Sequence, residues 1–93
     1  MKEFDFEIKD KNGLHARPAG MLATVAREFE SEIMISAMGK EADGKRLLSL
    51  MSLGAKCGSV LHFKINGVDE EAASQTLLKH LEGGITENEE KRS

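Results

Sequence analysis

Residues 13–18 read Gly-Leu-His-Ala-Arg-Pro, which sets an imidazole two positions before a guanidinium and three before the chain's single proline. A neutral imidazole is a nucleophile, and an arginine presents a planar set of donors that matches phosphate oxygens. Proline is tolerated in the first turn of a helix, where its missing N–H has no intrahelical partner to lose. Pro18 therefore predicts a helix beginning near Ala16, with His15 at or beside the N-cap. The amides of Ala16 and Arg17 then stand open at a helix N-terminus, which is an anion site. The same positive end disfavours an imidazolium and so favours the nucleophilic form of the ring. The chemistry expected is attack on phosphorus by His15, which then carries the phosphoryl group. The Arg17 side chain and the Ala16 and Arg17 amides would lie beside the phosphate, with Pro18 fixing the helix start.

A His-x-Arg pair alone is a weak signal, because an indifferent capping histidine and a surface arginine give the same letters. The proline and the helix boundary weaken the indifferent reading but leave both readings standing. Gly13 and Leu14 leave little bulk around the ring, as approach of a large donor requires. No separated carboxylate pair is visible near His15 to act as acid and base, so a stand-alone hydrolase is disfavoured.

The elements that must position this ring follow from periodicity. Phe4, Phe6 and Ile8 alternate with Asp5, Glu7 and Lys9 as in a half-buried strand, and Asn12-Gly13 signals a turn. From Ala16 to about Phe29, apolar residues recur at Ala19, Leu22, Ala23, Ala26 and Phe29, one face of a helix. Ile33 and Ile35 mark a second strand, and Met38-Gly39-Lys40 a hairpin into a weakly signalled strand over residues 40–43. "KRLLSLMSLG" reads as a short helix stopped by Gly54. Leu61, Phe63 and Ile65 alternate against His62 and Lys64 in a further strand. Asp69 is placed to cap a last helix, with Glu70 and Glu71 in its first turn and Lys79 and His80 in its last. Ala73, Leu77 and Leu81 form its inner face and Gly83-Gly84 stop it. The order β-α-β-β-α-β-α predicts a two-layer α+β sandwich, four strands with helices over one face. The domain is expected to span residues 1–84, with a charged tail over 85–93.

The short middle helix carries a second signal. Its five apolar residues cannot all face inward from two turns: Leu50 and Leu53 share one side, Leu47, Leu48 and Met51 another. An apolar side left in solvent beside a reactive group reads as a docking surface, and methionine suits one that fits more than one partner. Coverage of both sides by sheet and tail is the plainer alternative.

Composition bounds the rest. Ninety-three residues, 40% apolar, suit a single domain. A net charge of −3 and the absence of tryptophan and tyrosine argue against nucleic-acid binding. No apolar run approaches the roughly 20 residues of a membrane helix. The charged N-terminus does not resemble a signal peptide. The lone Cys57 forms no internal disulfide. Together these predict a cytoplasmic protein with no membrane insertion. His62 and His80 lack metal-ligand spacing and read as surface histidines, and neither a metal nor a cofactor is expected.

"GLHARPA" (Gly13–Ala19) resembles the active-site signature of HPr, the histidine phosphocarrier of the phosphoenolpyruvate-dependent sugar phosphotransferase system. "LMSLG" (Leu50–Gly54) is similar to the end of that family's second helix, and the resemblance covers about residues 1–84. It implies an open-faced β-sandwich with a four-stranded antiparallel sheet covered by three helices. It further implies that Enzyme I, charged by phosphoenolpyruvate, phosphorylates His15 on Nδ1, and that the group passes to the IIA domain of a sugar permease. Leu47, Leu48 and Met51 would dock both partners, with Gly20 allowing close approach, and the carrier is expected to be a monomer. In many Gram-positive members the second helix starts with a regulatory serine. The matching position here is Arg46, which cannot be phosphorylated and would favour an acidic partner. A regulatory phosphotransfer branch, a feed to a dihydroxyacetone kinase, or a docking module that needs no phosphorylation are the competing roles.

Overall fold

A computed structural model describes residues 1–82. The elements are β1 (Lys2–Glu7), α1 (Ala16–Ala26), β2 (Glu32–Ala37), β3 (Lys40–Asp43), α2 (Leu47–Met51), β4 (Val60–Asn66) and α3 (Glu70–Glu82). The four strands form one sheet in the order β1-β4-β2-β3, and every neighbouring pair is antiparallel. Alternation decides the two faces. Phe63 and Ile65 of β4 meet Phe4 of β1 and Ile33 and Ile35 of β2 on the core side. Glu3, Asp5, His62 and Lys64 occupy the open side. The core is one cluster in which Leu22 and Ala23 of α1, Leu50 of α2 and Leu77 of α3 close over the sheet. This is the α+β open-faced sandwich that the sequence predicts.

Two local expectations are corrected. The apolar spacing carried α1 to Phe29, but the helix ends at Ala26. Glu28 and Phe29 donate to the carbonyls of Val25 and Ala26 at 3.0 and 3.2 Å, the i→i−3 pattern of a tightened last turn. Phe29 still packs against the core from this turn, so the periodicity outlives the helix. Asp69 does precede α3 at the N-cap position, its carbonyl accepting the Ala73 amide at 2.9 Å, but its carboxylate accepts the amides of Glu30 and Ser31, both at 2.9 Å, and the Ser31 hydroxyl. It therefore ties the entry of β2 to the start of α3. The Ser31 hydroxyl first, then the Glu30 amide, holds its carboxyl below the usual range. The Gly83-Gly84 stop, the boundary at residue 84 and the tail over 85–93 lie outside the described residues.

α2 is positioned from both ends. Arg27 donates to the Lys45 carbonyl at 3.0 Å, and the Lys45 ammonium to the Phe29 carbonyl at 2.7 Å. These bonds fasten the C-terminal end of α1 to the residues entering α2. Gly54 leaves α2 at φ 67°, the left-handed conformation expected after a helix.

Candidate phosphotransfer site

His15 is the N-cap residue of α1, with extended backbone (φ −88°, ψ −173°), and its carbonyl accepts the Ala19 amide at 3.0 Å. Its side chain makes no capping hydrogen bond. The ring is thus not spent on holding the helix, and 39% of it is open to solvent. Ala16 and Arg17 are exposed, while Pro18 and Ala19 turn into the core. The first-turn amides have no intrahelical acceptors by their position.

The approach loop is built around Gly13. Its φ is 70°, and a Cβ there would lie 2.6 Å from the Ala55 carbonyl oxygen and 2.8 Å from Lys56 Cα. Leu14 is buried and donates to the same Ala55 carbonyl at 3.0 Å. Gly13 has no side chain and Leu14 turns into the core, so neither adds bulk beside the ring. They press the loop against the segment leaving α2 and so fix where His15 emerges.

Asp10 is the residue that sequence reasoning missed. Its Oδ1 accepts the Asn12 amide at 2.8 Å, its main-chain oxygen accepts the Gly13 amide at 2.9 Å, and its Oδ2 lies 3.5 Å from His15 Nε2. The Asn12 amide is the foremost cause that lowers its pKa below 3.8, with His15 adding to it. No carboxylate pair faces the ring among these contacts, but one carboxylate does. The available signal was Asp-x-Asn-Gly, an aspartate whose side chain can bond the backbone two residues on.

α2 divides as its sequence predicts. Leu50 and Leu53 are buried, while Leu47, Leu48 and Met51 are exposed, Leu48 to 80%. Arg46 is the exposed N-cap residue of this helix. α2 packs beside α1, whose outward stripe carries Arg17, Gly20, Met21 and Thr24 at helical spacing. Met21 was not singled out from sequence, although it falls off the buried stripe of Pro18, Leu22 and Val25. A Cβ at Gly20 would meet open space. Arg17, Gly20, Met21, Arg46, Leu47, Leu48 and Met51 are thus all solvent-facing on two adjacent helices.

The remaining candidates stay apart from this site. His62 lies on the open face of the sheet between Asp5 and Glu3. His80 is exposed on α3, and Cys57 is an exposed free thiol. Among the described residues no group of three or more His, Cys, Asp or Glu side chains is arranged to hold a metal ion. Among them, too, no helix is long and apolar enough to cross a membrane.

An open-faced sandwich that presents an uncommitted imidazole at a helix N-terminus has the form of a small phosphocarrier. The family model described as the PTS HPr component phosphorylation site matches residues 2–83. Phosphocarrier protein HPr of Buchnera aphidicola is 41% identical over 81 residues, 87% of this chain and 95% of that one. HPr-like protein Crh of Halalkalibacterium halodurans is 39% identical over 82 residues, covering 88% and 98%. The crystal structure of HPr-C-His from Thermoanaerobacter tengcongensis superposes with a TM-score of 0.87 at 39% identity, covering 94% of this chain and 98% of that chain. The chain belongs to the HPr family, the phosphocarriers of the phosphotransferase system.

Proposed function

We propose that this protein accepts a phosphoryl group on His15 from phosphorylated Enzyme I and passes it to the IIA domain of a sugar permease. The observation that carries this reading is the His15 ring, which sits at the N-cap of α1 yet caps nothing. In the step, the lone pair of a ring nitrogen attacks phosphorus, and the bond to the donor breaks with its electrons returning to the donor. The amides of Ala16 and Arg17 and the Arg17 guanidinium receive the phosphate oxygens. Leu47, Leu48 and Met51 seat each partner in turn, and Gly20, with no side chain, lets it come close. Arg46 takes the place of a phosphorylatable serine, so control by a serine kinase at this position is lost. The carrier acts as a monomer in the cytoplasm, where its donor and acceptor domains reach it.

Incubation with Enzyme I and phosphoenolpyruvate is expected to place one acid-labile phosphate on the wild-type chain and none on His15→Ala. A stable phosphoserine, or no label while the same Enzyme I charges another HPr, would overturn the proposal. The exposed α2 face and the likeness to an HPr-like protein favour one second reading, a docking module in a regulatory branch. That reading requires His15→Ala to keep full biological activity.

A further inference from the structure

We propose that Asp10 is a positioning residue for His15, fixing the ring proton on Nε2 so that Nδ1 is left as the nucleophile. Asp10 then faces the positive charge that the ring acquires on phosphorylation. The inference rests on the phosphocarrier reading and adds to it a residue and a direction of proton placement.

The carboxylate is held by the turn rather than by the ring. One oxygen is taken by the Asn12 amide, and the main-chain carbonyl by the Gly13 amide, before the second oxygen reaches toward Nε2. Asp10 thus keeps its place whichever way the imidazole turns. The Nε2–Oδ2 separation of 3.5 Å is an ion-pair distance, longer than a formed hydrogen bond. Contacts of this kind tighten when the reacting partner arrives.

An ionised carboxylate can only accept, so the ring nitrogen that faces it must carry the hydrogen. The lone pair then belongs to Nδ1. When Nδ1 forms its bond to phosphorus, the bond from phosphorus to the donor breaks, and that electron pair leaves with the donor. Nε2 keeps its proton, and the ring bears one positive charge against the Asp10 carboxylate. In onward transfer the Nδ1–phosphorus electrons return to the ring and cancel that charge. Protonated phosphoimidazole is the form that gives up its phosphoryl group readily, because it leaves as a neutral ring. Asp10 therefore sets both which nitrogen is loaded and how readily the group departs.

The decisive variant is Asp10→Asn, whose side-chain carbonyl still accepts the Asn12 amide while the charge is lost. Asp10→Ser, which retains a turn acceptor of another shape, serves as a second variant should the first fail to fold. In 15N NMR of the His15 ring above neutral pH, wild type is expected to favour the Nε2–H tautomer, and the ratio to fall about three-fold in Asp10→Asn. Equal ratios would overturn the proposal. Protein charged chemically with phosphoramidate, in the absence of any partner, supplies the second readout. Phospho-His15 is expected to survive about three-fold longer in the variant, whereas a residue that only holds the turn would leave its lifetime unchanged. Failure of Enzyme I to charge the wild type would sink the phosphocarrier reading, and the tautomer comparison would still decide the role of Asp10.

Discussion

Leu48 and Leu50 stand two positions apart on a five-residue helix and serve opposite purposes. Leu50 has no exposed surface and fills the space between α2 and the sheet, so its loss leaves a cavity. Leu50→Ala is expected to cost about 2–5 kcal/mol in urea unfolding. Leu48 is almost free of the fold, and Leu48→Ala should change stability by less than about 0.5 kcal/mol. In the proposed docking role its effect falls on partner binding, where an exposed apolar anchor removed from an interface costs about 1 kcal/mol or more. Steady-state transfer from Enzyme I to Leu48→Ala should therefore show a raised KM with little change in kcat. A Leu48→Ala variant with wild-type KM would remove α2 from the docking surface.

The strands carry a charge device that the functional face does not use. His62 of β4 is flanked by Asp5 and Glu3 of β1, to which it is antiparallel-paired. Hydrogen bonds that the protonated ring donates, first to Asp5 and then to Glu3, raise its pKa above the ordinary 6.5. A raised folded-state pKa means that the contribution to stability is complete below about pH 6.5 and disappears as pH climbs through the folded value. The urea midpoint of wild type should accordingly fall between pH 6 and pH 9, and His62→Gln should remove that part of the slope. A variant with an unchanged slope would show that the β1–β4 clasp does not act in solution. At the acid end the sign reverses. The lowered pKa of Asp69 adds stability above about pH 4, lost as pH falls through its folded value.

Over the whole molecule, a net charge of −3 coexists with three arginines on or beside α1 and at the start of α2. Arg17, Arg27 and Arg46 are all exposed there. A local positive field on an acidic protein steers an acidic partner to one side and discourages approach from the other. The rate constant for charging by Enzyme I is expected to fall as salt rises. Arg46→Glu should lower it several-fold at low ionic strength, with the difference shrinking near 0.5 M salt, where screening lengths fall to a few ångströms. Equal rates for the two proteins in dilute buffer would deny Arg46 a steering role.

The sequence by itself determined the element order, the inward faces and the histidine at the start of α1, because each is written in neighbouring residues. Alternation sets strand faces, helical spacing sets α1, α2 and α3, and Pro18 marks the helix start that leaves His15 uncapped and open. The division of α2 was legible for the same reason, since a short helix has too few inward positions for its leucines. Tertiary structure alone decided what depends on chain segments meeting. Asp69 could not be assigned to Ser31 from local pattern, as the partner lies 38 residues away. The need for glycine at position 13 comes from Ala55 and Lys56, which press on the loop from beyond α2. Met21 became a surface residue beside α2 only once α1 had chosen its buried stripe. Asp10 is the intermediate case: its turn is local and readable, but the direction of its free oxygen toward His15 is set by how the loop packs.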